Sequence, residues 1–388
     1  MILPNYESGS IVNLISSILK YYNVKQTKNF MYNYEPLPNF DLPEHRRLVL
    51  IAIDGLGLNF LEQLGKHTQF YKHTKTHLTS VFPSTTSAAL TSLITGQAPL
   101  QHGLTGWFMY FKELATASLP LPFSPRFTDK SFDSFDIDIN SVFNFETIFH
   151  QIDKPMLIVC PEQTIDSAFS NYCFHDKEKR GYKEIKDCFD IIKTQLSSHP
   201  ETEMIYSYIP HFDETAHKFG INSAEAVDVL NHIDELFSDL INFNRDKETL
   251  FIVTADHGLI DTGSDRILKI SDYPSIQECL ILPLCGEPRV PYCYIRPSKI
   301  DQFHHAVSDH LGSFCDRYSL NEVLNRPLYG LGKRNPKLSD RIGDEILIMK
   351  ENYILTDSIL NEKTKDFIGY HGGLTKDEML VPLISYLA

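Results

Sequence analysis

Four short apolar runs, at 48–53, 156–159, 204–209 and 250–254, are each rich in Val, Ile, Leu or Tyr and read as buried parallel strands. Three of them run straight into Asp, Gly, Pro or His, and the C-terminal ends of strands are where open α/β sheets carry their chemistry. Helical patterns lie between the runs. The clearest spans 224–243, where Val227, Leu230, Ile233, Phe237, Leu240 and Ile241 recur at three and four residues. Alternating strand and helix predicts an α/β fold with a doubly wound, mostly parallel sheet flanked by helices.

Two stretches break this rhythm. Residues 119–138 are rich in Pro, Phe, Ser and Asp and read as a surface loop near the site. Residues 261–369 are long and mixed, with prolines at 283, 288, 291 and 297, expected strands at 293–296 and 345–349, and an expected helix at 300–311. The expected organisation is a catalytic core from 1–260 and 366–388, interrupted by an insertion or cap subdomain at 261–365.

Composition narrows the function. With 388 residues, 42% hydrophobic and 22% charged, the chain is long enough for a sizeable core. A net charge of -14 argues against a long nucleic-acid partner, whose backbone demands clustered Lys and Arg. A small anionic substrate stays open, because divalent metals invert the local field. The seven cysteines form no C-x-x-C pair and read as reduced, buried thiols. No basic region leads into an apolar run near the N-terminus, and no stretch reaches about 18 apolar residues. The expectation is a cytoplasmic protein without a transmembrane segment.

Five groups carry candidate chemistry. Asp54 leaves the first strand and is followed by Gly55; a buried carboxylate there needs a cation or a dense set of hydrogen bonds. Ser84, Thr85, Thr86 and Ser87 follow Pro83 and open an Ala/Leu helical pattern, where unpaired N–H groups suit an alkoxide nucleophile and phosphoryl oxygens. Asp213 and His217, at i and i+4, share one helical face and can bind one metal. Asp256 and His257 end the fourth run before Gly258, and His371 precedes two glycines. Singly, each has an ordinary reading: a turn aspartate, an N-cap, an exposed helical pair, a loop histidine. Together they supply three carboxylates, three imidazoles and a hydroxyl, a donor set that suits two zinc ions.

With its motifs in this order, the chain resembles the alkaline phosphatase superfamily and, within it, the type I phosphodiesterase/nucleotide pyrophosphatase family. The resemblance runs from about 48 to 381. It implies that Asp213, His217 and His371 bind one zinc and that Asp54, Asp256 and His257 bind the other, with Thr86 beside it. It also implies Thr86 rather than Thr85 as nucleophile, because the family's nucleophile lies ten residues before the glycine of the Thr-Gly pair, here Gly96. Two departures stand out. Ser87-Ala88-Ala89 replaces the Phe-Pro-Asn that often follows the nucleophile, and Trp107 stands where the family usually has a phosphate-binding asparagine. Trp107 and Phe108 are candidates to stack on a base or aromatic leaving group, or to pack in the core.

The expected reaction is attack by metal-activated Thr86 on a small phosphodiester or nucleotide-like pyrophosphate, through a phospho-threonine. Rivals on the same scaffold are a phosphomonoesterase, for which no Arg stands beside Thr86, and a sulfatase. For the latter, Cys285-Gly286-Glu287-Pro288-Arg289 has the wrong spacing and location. A phosphoglycerate mutase would bring a serine nucleophile and a large inserted domain. The rival from another class is a metal-binding interaction protein without catalysis.

Overall fold

A computed structural model of the chain describes residues 1–24, 32–245, 248–360, 362 and 367–388. The expected cap-to-core boundary at 365/366 lies outside the described residues.

Among the described residues, the main sheet has seven strands: β1 (Arg47–Ile53), β2 (Thr74–Thr79), β3 (Met156–Pro161), β4 (Glu178–Tyr182), β5 (Met204–Ile209), β6 (Thr249–Thr254) and a last strand, Leu380–Leu387. Their order is β2, the last strand, β6, β1, β5, β3, β4. β1 pairs parallel with both β5 and β6, while the last strand runs antiparallel to β2 and β6. Every residue of β1 and β6 is buried, so both faces of the central strands are covered. The flanking helices include α1 (Ile11–Tyr21), α2 (Thr86–Thr95), α3 (His211–Phe219) and α4 (Ala224–Phe243). In α4, Leu230, Ile233, Phe237, Leu240 and Ile241 are buried, and Ser223 caps the first turn by accepting from the Ala226 N–H at 3.1 Å.

The register decides where the chemistry sits. Ile53 lies opposite Ile209 and Ala52 opposite Thr254, so β1, β5 and β6 end at one level. Asp54, the start of α3 and the turn at Asp256 therefore emerge together at one edge.

The 261–365 stretch folds around a four-stranded antiparallel sheet in the order β7 (Cys285–Glu287), β8 (Val290–Cys293), β10 (Glu345–Met349), β9 (Cys315–Ser319), with α5 (Ile300–Leu311) beside it. Side chains alternate along β10. Leu347 and Met349 join Phe303, Val307 and Leu311 of α5 in one core, while Ile346 and Ile348 join Phe82, Leu100 and Met379 in another. The small sheet is thus packed on its own helix and on the rest of the molecule. The last strand of the main sheet becomes β11.

Two expectations change. The strand expected at 293–296 lies at Val290–Cys293, because the Asp344 carboxylate takes the Ile295 N–H at 2.8 Å and ends the ladder. The 119–138 stretch is more than a surface loop. Phe123 and Phe132 are buried with rings 5.1 Å apart, and Arg126 makes a two-pronged bond to Glu362 at 2.9 and 2.8 Å. Its apolar positions fill core space that their spacing did not reveal. All seven cysteines are free and buried. No helix among the described residues is long and apolar enough to cross a membrane.

Candidate metal centre and reactive threonine

Asp54 follows β1 directly and its N–H donates to the Ile209 carbonyl at 3.0 Å, an extension of the strand pairing. Gly55 follows with φ 74°, and a Cβ there would stand 2.5 Å from Leu259 and 3.0 Å from the Asp213 Cβ. Only glycine lets α3 approach this closely. Asp256 and His257 leave β6 in a turn, and α3 presents Asp213 and His217 on one face with Nε2 and Oδ2 3.2 Å apart.

The three carboxylates share one pattern. In Asp256, Oδ1 accepts from the N–H groups of His257 at 2.9 Å and Gly55 at 3.1 Å, while buried Oδ2 has no hydrogen-bond partner. In Asp54, Oδ2 accepts from the Tyr208 hydroxyl, while Oδ1 has no partner. In Asp213, Oδ2 faces His217 and Oδ1 is again without one. Each side chain is held by one oxygen and turns the other, without a hydrogen bond, toward an imidazole: Asp54 Oδ1 and Asp256 Oδ2 lie 3.4 and 3.5 Å from His257 Nε2, and Asp213 Oδ1 lies 4.0 Å from His371 Nε2, an arrangement that a cation would satisfy.

The imidazoles complement this. His217 Nδ1 meets the Gly369 carbonyl at 2.7 Å and His257 Nδ1 meets the Gly258 carbonyl at 3.1 Å, an arrangement that would leave Nε2 of both rings as the lone pair toward a bound cation. Asp54, Asp256 and His257 bring ligand atoms within 4.8 Å of one another, as do Asp213, His217 and His371. The two trios adjoin: the His257 and His371 rings stack with centroids 3.9 Å apart. Thr86 opens α2, and its Oγ1 lies 3.2 Å from His257 Nε2. Thr85 is the N-cap by position, but its hydroxyl makes no cap bond and donates to Glu287 Oε1 instead.

Charge crowding shows in the acidities. Burial first, then Asp256 and Asp213, raises the Asp54 carboxyl well above its usual range, and burial foremost raises Asp256. Burial opposes the Asp213 carboxylate too, yet His217, His371 and His257 outweigh it and hold that group below the usual range. Burial, then His257, lowers the His371 imidazole well below its usual range. Three carboxylates so close cannot all ionise without added positive charge.

Against this geometry, the family model for type I phosphodiesterase/nucleotide pyrophosphatase matches residues 48–374. The chain belongs to that family. Murine ectonucleotide pyrophosphatase/phosphodiesterase 5 superposes with a TM-score of 0.67 at 17% identity over 88% of both chains. Phosphonoacetate hydrolase from Sinorhizobium meliloti superposes with a TM-score of 0.65 at 17% identity, over 88% of this chain and 90% of the other. Among curated sequences, the GPI ethanolamine phosphate transferase 1 of Yarrowia lipolytica is 26% identical over 152 residues, which is 33% of this chain and 16% of that protein. An uncharacterized pyrophosphatase/phosphodiesterase of Schizosaccharomyces pombe is 23% identical over 210 residues, 49% of this chain and 39% of that protein. The chain thus spans well under two thirds of the length of either.

The structure therefore brings Asp54, Thr86, Asp213, His217, Asp256, His257 and His371 into one cluster. Trp107 and Phe108 belong to the loop that pairs with Gly286 of β7. Trp107 is 37% exposed and its N–H donates to Glu287 Oε1 at 2.6 Å. The Phe108 ring is covered on one face by the Arg126 guanidinium, 3.9 Å from its centroid, which removes that face as a stacking platform. Sequence reasoning missed Tyr208, Glu287 and Glu378. Tyr208 sits one residue before the end of a strand that points at the site, a position that could have flagged it. The other two gain meaning only from long-range packing.

Proposed function

We propose that the chain is a metal-dependent phosphodiesterase or nucleotide pyrophosphatase that works through a phospho-threonine at Thr86. The observation that carries this is the set of buried oxygens without a hydrogen bond, Asp54 Oδ1, Asp256 Oδ2 and Asp213 Oδ1, gathered beside three imidazoles. Asp54, Asp256 and His257 would hold one divalent cation, with Thr86 beside it, and Asp213, His217 and His371 the other; mixed N/O donors favour zinc. Bound there, the cations supply Lewis acidity, lowering the pKa of the attacking hydroxyl and neutralising phosphoryl oxygens. Thr86 Oγ1 attacks phosphorus, a P–O ester bond breaks, and water then hydrolyses the threonine ester. The start of α2 offers N–H groups without intrahelical acceptors to the phosphoryl oxygens. Tyr208 and the Gly55 and His257 N–H groups keep the carboxylates aimed inward.

The substrate class proposed is a small phosphodiester or nucleotide-like molecule. A threonine-to-alanine form of murine ectonucleotide pyrophosphatase/phosphodiesterase 5, described as inactive, was solved in complex with AMP and has a TM-score of 0.66 to this chain. The monoesterase rival lacks support: Arg289, close to the His371 loop, spends its donors on Glu378, Glu351 and Tyr353. We keep 261–365 as a proposed cap that shapes substrate choice. The cytoplasm remains the proposed compartment, supported by the free thiols.

The test is Thr86→Ala in zinc-loaded protein with a nitrophenyl phosphodiester. Turnover falls by about 10³-fold or more, about 4 kcal/mol of barrier, while metal content holds. Activity near that of the parent rejects Thr86 as nucleophile.

A further inference from the structure

The small antiparallel sheet delivers one side chain to the reactive turn. β7 is tied to the Trp107 loop by a reciprocal backbone pair: the Phe108 N–H donates to the Gly286 carbonyl at 3.1 Å, and the Gly286 N–H donates to the Phe108 carbonyl at 2.5 Å. The next residue, Glu287, is buried at 5% exposure. Its Oε1 accepts from Thr85 Oγ1 at 2.5 Å and from the Trp107 N–H at 2.6 Å. On its other side lies the loop of the third histidine. A Cβ on Gly372, whose φ is 116°, would come within 2.9 Å of the Glu287 Cβ. Arg289, two residues on, is committed to Glu378. Glu287 thus brings a carboxylate, held by neutral donors, into the space between Thr85 and the residue after His371.

A negative group in a poorly solvated site raises the energy of a second negative charge placed near it. Repulsion of this kind is how a site rejects one ligand while keeping a close analogue. A diester presents one ionised oxygen at the reacting phosphorus, and a monoester at alkaline pH presents two. We propose that Glu287 is a specificity-determining residue, disfavouring doubly ionised phosphoryl groups and so selecting diesters over monoesters. This deepens the Thr86 reading and rests on it. The role needs the charge and the position, and no proton passes through Glu287.

The experiment compares kcat/KM for nitrophenyl phosphate and for methyl nitrophenyl phosphate with zinc-loaded parent, Glu287→Gln, Glu287→Asp and Thr86→Ala. It is run at about pH 9, above the Glu287 carboxyl, which burial raises to about 7. Glu287→Gln keeps an acceptor for both donors and removes the charge, so the monoester-to-diester ratio rises by about tenfold or more. Glu287→Asp retains the charge and keeps the ratio within about threefold of the parent. Calorimetry with inorganic phosphate shows tighter binding to Glu287→Gln than to parent, a change that loss of structure alone does not produce. An unchanged or falling ratio in Glu287→Gln, with Thr86→Ala inactive, overturns the Glu287 assignment and leaves the nucleophile standing. An active Thr86→Ala overturns the reading beneath it. Should Glu287→Gln not fold, the parent decides: a diester preference above about tenfold supports the selection, and a smaller one overturns it.

Discussion

The trio at the strand ends and the trio on α3 and the late loop reach similar ligand chemistry by different routes. Asp54, Asp256 and His257 follow β1 and β6 directly, are nearly solvent-free, and are braced by backbone N–H groups and Tyr208. Asp213 and His217 stand on a helix, and His371 arrives on a loop about 150 residues later. That loop is held by Glu378, which accepts from the Gly373 N–H at 2.8 Å and pairs with the fully buried Arg289 at 2.9 Å. The first trio is fixed by the sheet. The second depends on long-range packing, including a guanidinium from the 261–365 segment, and is the part of the centre that a distant change can loosen.

The largest expected effect comes from striking the braced trio. Asp256→Ala removes a proposed ligand beside Thr86 and two backbone-bonded contacts, so kcat/KM falls by about 10³-fold or more. His371→Ala costs less, roughly 10²-fold, and lowers metal content by one ion per chain while the other remains. Elemental analysis beside kinetics checks both, and equal losses of both ions in the two variants break the distinction.

The next effect is on stability. Glu378→Gln leaves Arg289 buried without its partner, which costs roughly 3–5 kcal/mol. Urea denaturation shows this, and chelator titration shows the second ion leaving at lower chelator concentration than in the parent. A variant with parental stability and metal affinity removes the loop's brace from the account.

The smallest effect at neutral pH, a slope that shows only on acidification, lies outside both trios. His102 is buried between the Leu104 N–H, which donates to its Nδ1 at 3.1 Å, and Ser92 Oγ at 3.0 Å from Nε2. Burial, then the nearby Arg341, depresses it to about 3. The unfolded chain binds this proton near pH 6.5 and the folded chain does not. Its contribution is therefore present above about pH 6.5 and is lost toward about pH 3, by up to about 1.4 kcal/mol per pH unit. His102→Gln flattens the acid limb of unfolding free energy against pH; an unaltered limb contradicts the burial argument.

The same contrast explains what the amino-acid order discloses. Asp54, Asp256 and His257 end apolar runs, and a charge there has no cheap structural excuse, so the sheet and this trio are readable from pattern. Asp213 and His217 are readable as a pair on a helical face, though not as facing inward. His371 gains meaning only from the succession of motifs, because nothing beside it except glycines marks it. Glu287 and Glu378 are invisible in this sense: an acid before Pro288 and an acid in a capping box look like surface chemistry. They become interior only when β7 pairs with Phe108 and Arg289 crosses to the late loop. The strand expected at 293–296 lies at Val290–Cys293 for a similar reason, since Asp344, far along the chain, ends the ladder.

The central claim is that both trios bind cations in one centre beside Thr86. A crystal of zinc-loaded protein, measured at the zinc absorption edge, tests it most directly. The account predicts two anomalous peaks, one among Asp54, Asp256 and His257 and one among Asp213, His217 and His371. A single peak, or none at these side chains in active protein, contradicts it.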